Sequence, residues 1–310
     1  MARLLTAAMV LGSSLCASSV TAQVPPEIAE QNRALGDRID VPAAIKTYGS
    51  LQEMPPYGEV KIIRDLVYGP DVRHRLDVFI ARKPAARRLP VMIFATGGDF
   101  TRSIDLPGGA PFYDNVMLWA AKHGFVGVNA DRRYHKDRPW ETGPEDISRM
   151  IGWVHDHIAK YGGDPRKVVF FGHAYGGTQF ISYASHPEFW CCSGPGVAAA
   201  AIVSAPLNLP PATSAGPGNA SRPTNSLFDP AHSDLDGLAH ITIPIFVGTA
   251  QFDGPAQSQS ARILQERLCA AGHCPEFHSF ENHNHFSVMF SFNTSDGSVS
   301  DAFLQWARRL

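Results

Sequence analysis

The sequence predicts an α/β chain, with a mostly parallel sheet, helices on both faces and an antiparallel hairpin at its N-terminal edge. Three observations carry that reading. From about residue 90 onward, short apolar runs alternate with longer stretches of helical period. One run, Val168-Val169-Phe170-Phe171, passes through Gly172-His173-Ala174-Tyr175-Gly176-Gly177 directly into a helix-like segment. Side chains able to do chemistry gather where strands end, which is where parallel sheets place their sites.

Bulk properties narrow the function. The 310 residues are 44% hydrophobic and 18% charged, an ordinary globular chain with ample core. A net charge of −2 gives no basic footprint for nucleic acid and no polybasic membrane signal, which favours small-molecule chemistry. Arg3, the apolar run Leu4 to Leu15 and the small-residue site Val20-Thr21-Ala22 predict a secretory leader over 1–22. That run is too short for a permanent membrane anchor. The expectation is one domain over 23–310 in a periplasmic or secreted protein.

In chain order, Glu27 to Leu35 and Val41 to Lys46 read as helices that wrap the body or pack over a site entrance. Glu59–Tyr68 and His74–Ala81 flank Gly69-Pro70-Asp71 and read as an edge hairpin. Pro90–Ala95 is apolar throughout, as a strand buried on both faces must be. A helix over Phe112–His123 leads to a strand over Phe125–Ala130. Gly143-Pro144-Glu145-Asp146 opens a helix with Ile147, Met150, Ile151, Val154 and Ile158 on one face. Gly162-Gly163-Asp164-Pro165 ends it and feeds the Val168 strand. Strands follow at Ala198–Ser204, Ile243–Gly248 and Glu276–Phe280, with helices at Gln257–Ala271 and Ser300–Arg309. The Pro-, Ser-, Asn- and Gly-rich stretch 207–230 reads as an insertion placed to cover a pocket.

Without Cys16, five cysteines become four. Cys269 and Cys274 flank a turn between a helix and a strand, which suits a local disulfide in an oxidising compartment. Cys191-Cys192 leaves two options, a strained vicinal bridge or two buried thiols. Neither pair has zinc-site spacing, so no metal is expected.

Four strand ends carry the chemistry. Put serine at 174 and the Val168–Gly177 stretch becomes G-x-S-x-G, the turn that lifts a nucleophile above a sheet. Position 174 is alanine. Thr96-Gly97-Gly98-Asp99-Phe100 is placed to aim backbone N–H groups into a pocket, as an oxyanion hole requires, with the Tyr175 N–H as a further donor. Asp253 follows a strand and is able to orient an imidazole; His283 and His285 follow the last strand. Elbow, acid, base is the hydrolase order along the chain. Phe100, Trp140, Tyr175, Trp190 and Phe286 lie on or near these loops, either lining an apolar or aromatic pocket or packing in the core. G-x-G-x-x-G is absent, and no nucleotide, flavin or other cofactor is expected.

From about Glu59 to Leu310 the chain resembles the α/β-hydrolase superfamily, in the esterase/lipase branch with an HGGG-type loop, near carboxylesterase-like and feruloyl-esterase-like members. The stretches that carry the resemblance are Arg75-Leu76-Asp77-Val78-Phe79, Gly97-Gly98-x-Phe100, Gly124-Phe125 and Asn129-Ala130-Asp131-Arg132-Arg133. Asp146 with Trp153, Tyr161-Gly162-Gly163-Asp164-Pro165, the elbow and His285-Phe286-Ser287 complete them. The resemblance implies Asp253 as triad acid, His285 as general base, and Gly98, Asp99 and Tyr175 as oxyanion donors. His285 is preferred to His283 because an apolar residue and serine follow it. Thr96 replaces the usual His of the loop, so the loop's hydrogen bonding must differ. Ala174 replaces the nucleophile. The implied parent activity is hydrolysis of a small carboxylic ester through an acyl-enzyme, with the nucleophile removed, by engineering or by descent. The alternatives are a non-hydrolytic ligand-binding protein and general-base chemistry by His285 with Asp253.

Overall fold

The computed structural model describes residues 23–83, 85–98, 101–102, 112–133, 139–207 and 233–310. The segment 1–22 expected to be a leader, and all but the first residue of the stretch 207–230 expected to be an insertion, lie outside them. Eight strands run β1 (Val60–Val67), β2 (Arg75–Ala81), β3 (Leu89–Ala95), β4 (Val126–Ala130), β5 (Gly163–His173), β6 (Ala199–Val203), β7 (Ile245–Phe252) and β8 (Glu276–Asn284). They form one sheet in the order β1-β2-β4-β3-β5-β6-β7-β8. The β1–β2 and β2–β4 pairs are antiparallel and the rest parallel, so the hairpin sits at the edge.

Side chains alternate faces along a strand, and here each face is covered. Val91, Ile93, Val168, Phe170 and Ile202 pack under α4 (Thr142–His157), α5 (Tyr175–Ser185) and α6 (Pro255–Ala270). Met92, Phe94, Val169, Phe171 and Val203 face α3 (Asp114–Lys122), α7 (Ser287–Phe290) and α8 (Ser298–Ala307). That two-sided burial is why the central strands read as unbroken apolar runs.

The N-terminal helix α1 (Pro26–Leu35) packs on β8, and α2 (Val41–Gly49) packs on α1 and α7. Buried Asn32 donates to the Tyr48 hydroxyl at 3.1 Å and to the Asn282 carbonyl at 3.0 Å. These helices therefore wrap the body and grip the end of the last strand.

Register sets where the site falls. Ala95 pairs with Gly172, His173 with Val203, and Val203 with Gly248. Gly97, Ala174, Ser204 and Thr249 therefore lie in one row at the C-terminal ends of these strands.

Two strands overrun their expected ends. β7 continues to Phe252 and β8 to Asn284, because their ladder persists as far as the Phe252–Asn284 pair. Cross-strand pairing, not apolar composition, decides where they stop. The one-turn α7 was not expected from its sequence. Cys269 and Cys274 are joined by a disulfide across the turn after α6. Cys191 and Cys192 are free thiols, one exposed and one half-buried, so of the two options the sequence left open neither a closed bridge nor a buried pair is seen. Among the described residues no helix is long and apolar enough to cross a membrane.

Candidate active site

The chain turns from β5 into α5 within one residue. Ala174 has φ 49° and ψ −125°, a left-handed backbone that side-chain-bearing residues rarely adopt. The surrounding glycines force it. A Cβ at Gly172 would lie 2.5 Å from Gly177 Cα, and one at Gly176 would lie 2.1 Å from the Ala95 carbonyl oxygen. A Cβ at Gly97 would meet Ala174 Cβ at 2.5 Å, so the end of β3 presses on the elbow from the other side.

Asp253 follows β7 and accepts four hydrogen bonds. His285 Nδ1–H donates at 2.9 Å, Ser204 Oγ at 2.6 Å, Thr249 Oγ1 at 3.1 Å and the Ala250 N–H at 2.8 Å. Burial works against its charge, but the His285 bond, the field of that ring and the Ser204 and Ala250 donors outweigh it. The carboxyl is held below its ordinary range. With Nδ1 donating, His285 presents Nε2 as the basic nitrogen, and Nε2 makes no hydrogen bond to the described residues.

Asp253 thus takes His285, and His283 lies elsewhere. His283 is fully buried between Ser287 Oγ at 2.9 Å and Ser298 Oγ at 2.7 Å. Its serine contacts fix the turn that delivers His285.

His173, the residue before the elbow, was passed over in the sequence because it is a single imidazole inside an apolar strand. Its parity with Val169 and Phe171 turns it to the His285 face, where it is 0% exposed. Its Nε2–H donates to the His285 carbonyl at 2.8 Å, tying the base-bearing loop to the elbow. Burial and then the neighbouring His285 push its pKa down to about 3, so it stays neutral beside the base.

On the oxyanion side, the loop's hydrogen bonding differs as Thr96 led one to expect. Gly98 follows β3 with φ 56°, a conformation that favours glycine. Arg132, 2% exposed at the end of β4, donates through Nε and Nη2 to the Thr96 carbonyl at 3.2 and 2.7 Å, and through Nη2 to the Gly98 carbonyl at 2.9 Å. In a trans peptide the N–H opposes the C=O, so fixing the Thr96 carbonyl aims the Gly97 N–H away from the guanidinium. Arg132 thus holds the loop in which Thr96 stands for the usual His. In the sequence it stands within the Asn129–Arg133 stretch that carries the resemblance, with nothing to mark this contact. Asp99 and Phe100 lie outside the described residues. The Tyr175 N–H is the first of α5 and has no intrahelical acceptor.

The aromatic expectations separate. Phe286 is buried with its ring 5.4 Å from that of His285 and 5.7 Å from that of Phe290, at the border of site and core. Trp140 and Trp190 are not brought to Ala174. Trp140 packs on His186 and Phe189, and Trp190 Nε1 donates to the Tyr183 carbonyl at 3.1 Å. Both sit at the far end of α5, roughly 15 Å along its axis at 1.5 Å per residue. Among the described residues no cluster of three or more metal-ligating side chains occurs.

Two expected outcomes follow from this geometry. Gly176→Ala should cost about 3 kcal/mol or more, because the new methyl meets backbone that cannot yield; urea unfolding at neutral pH measures it. His173 binds a proton in the unfolded chain near pH 6.5 but in the folded chain only near pH 3. Its contribution is therefore complete above about pH 6.5 and is lost as pH falls, at up to about 1.4 kcal/mol per pH unit. His173→Gln, which keeps a donor for the His285 carbonyl, should flatten the fall in urea stability between pH 6.5 and 4 relative to the unaltered chain.

Comparison with known proteins agrees with the geometry. Residues 76–182 match the BD-FAE family model. Pig liver carboxylesterase is 37% identical over 101 residues, 30% of this chain and 17% of that protein. Esterase LipQ of Mycobacterium tuberculosis is 31% identical over 115 residues, 36% of this chain and 26% of that protein. The match thus spans about a quarter or less of the length of these curated relatives. Among solved structures, a bacterial heroin esterase superposes with a TM-score of 0.65 at 18% identity, covering 93% of this chain and 98% of that one. The hyperthermophilic esterase of Pyrobaculum calidifontis gives 0.62 at 18% identity, covering 92% and 97%. A mixed sheet of this order, with a strand-to-helix elbow, gives the chain the α/β-hydrolase fold, and its sequence likeness to esterases centres on that elbow.

Proposed function

We propose that the chain carries the site of a serine ester hydrolase, disarmed at position 174, which takes up a small carboxylic ester with an apolar or aromatic part. The observation that carries this reading is the backbone of Ala174, still at φ 49° and ψ −125° at the head of α5 beside the Asp253–His285 pair. The carboxylesterase and heroin-esterase likenesses support an ester as substrate.

With a serine hydroxyl at that position, Oγ attacks the ester carbonyl carbon while His285 Nε2 takes its proton. Asp253 holds Nδ1–H and stabilises the imidazolium. The new oxyanion meets the Tyr175 N–H and the N–H groups of the loop held by Arg132. Collapse expels the alcohol, which leaves with the proton from Nε2, and water repeats the sequence on the acyl-enzyme. Alanine removes the first step and leaves the binding and the electrostatics. A second reading rests on His285 Nε2 having no partner among the described residues: it can deprotonate a water that attacks the ester directly, at a far lower rate.

Ala174→Ser, assayed on short p-nitrophenyl and aromatic esters beside the unaltered chain, should raise turnover by about 10³-fold or more, and His285→Ala should abolish the gain. No gain would overturn the disarmed-esterase reading. A weak rate in the unaltered chain that His285→Ala removes would favour direct water attack. In the Ala174→Ser background, Arg132→Met should lower kcat by about 10²-fold with KM changed only a few-fold, because the oxyanion loop loses its anchor and not its substrate contacts.

A further inference from the structure

The turn after α5 sets two thiols side by side, away from the hydrolase site. Cys191 and Cys192 are free, with their Sγ atoms 2.9 Å apart, closer than two unbonded sulfurs pack. The turn around them is tied down. The Tyr183 hydroxyl from α5 accepts the Cys191 N–H at 3.3 Å and donates to the Pro195 carbonyl at 3.3 Å. Gly194 and Gly196, at φ 76° and 66°, double the chain back on itself. A Cβ at Gly196 would lie 3.1 Å from Cys192 Sγ and 3.4 Å from Cys191 Sγ, so a side chain there would crowd the pair. Cys191 is exposed and open to a reagent, while Cys192 is half-buried directly behind it.

We propose that Cys191 and Cys192 are an oxidation site, closing to a vicinal disulfide by exchange with a disulfide oxidant such as oxidised glutathione or a thiol–disulfide oxidoreductase. Cys191 gives up its proton, and its thiolate attacks one sulfur of the oxidant, expelling the other as a thiolate. Cys192 then attacks Cys191 Sγ in the mixed disulfide, loses its proton and expels the second oxidant thiol. Two cysteine thiols lose two protons and two electrons, and the oxidant's disulfide leaves as two thiols. Burial, and then the neighbouring Cys191, push the Cys192 thiol up to about 12, which leaves Cys191 as the attacking and Cys192 as the resolving sulfur. The bridge would hold the 190–196 turn against Tyr183. This inference is independent of the esterase reading.

The test treats the full chain with oxidised glutathione, denatures it in excess alkylating reagent, digests it without reductant and weighs the fragment bearing both cysteines. The expected fragment is lighter by two hydrogens and takes no label, and after reduction it takes two. Two labels before reduction, glutathione persisting on either cysteine, or chains cross-linked through them would overturn the proposal. Cys192→Ser should stall as a glutathione adduct on Cys191, and a variant that gains no adduct would overturn the route through Cys191.

Discussion

The first turn of α5 lies so close to β3 and β5 that a Cβ at Gly176 would sit 2.1 Å from the Ala95 carbonyl oxygen and one at Gly172 2.5 Å from Gly177 Cα. Reversal from strand to helix must then finish within one residue, and Ala174 absorbs it at a backbone strain of about 1–3 kcal/mol. Glycine would adopt that conformation without the strain. The geometry is imposed by the packing of β3, β5 and α5, and it persists whatever side chain position 174 carries. The same close approach brings Gly97 onto Ala174 Cβ and places the Tyr175 N–H at the head of the helix. One packing contact therefore sets both the Ala174 backbone and the placement of the Tyr175 N–H.

The Asp253–His285 pair has a different claim to permanence. A buried carboxylate stripped of its donors is costly by several kcal/mol, so Ser204, Thr249, the Ala250 N–H and His285 all serve stability whether or not a reaction follows. Persistence of the pair is thus weak evidence of catalysis. The strained elbow is stronger evidence, because in a turn that packing imposes, stability alone would favour glycine at 174. A neutral His173 beside His285 belongs with it: it fixes the backbone of the base without adding a second positive charge there.

Much of this was legible in the sequence because two-sided burial writes strands as apolar runs and because glycines mark close backbone approach. The elbow and the edge hairpin came from such signals, whereas Asp253 and His285 were strand-end candidates whose roles the resemblance implied. Features set by side chains crossing between distant elements were not legible. Arg132 reaches from the end of β4 to carbonyls after β3, and Ser204 from the end of β6 to Asp253; the Asn129–Arg133 stretch was noticed, but no spacing names either partner. Trp140 and Trp190 misled for the complementary reason. Nearness to a loop in sequence does not say which end of α5 an indole packs on, and both pack on the C-terminal end. The β7 and β8 overruns follow from mutual pairing, which composition does not display.

The placement of His285 also depends on the chain's N-terminal helices. His285 follows β8 directly, and the end of β8 is gripped by α1 through Asn32 on the Asn282 carbonyl and Asn284 Nδ2 on Asn32 Oδ1. Tyr48 from α2 donates to Asp296 at 3.2 Å, and Asp296 in turn accepts from Ser298, whose hydroxyl meets His283. A polar chain therefore runs from the N-terminal helices through the buried His283 to the turn that presents the base. Sheet register alone fixes Ala174 and the acid-bearing strand, since β5, β6 and β7 are central and fully paired. β8 is an edge strand with one neighbour, and edge strands lack the second ladder that fixes a central one. The helices and their buried amide network supply that missing constraint, so the precision of the base is set by residues that never approach a substrate.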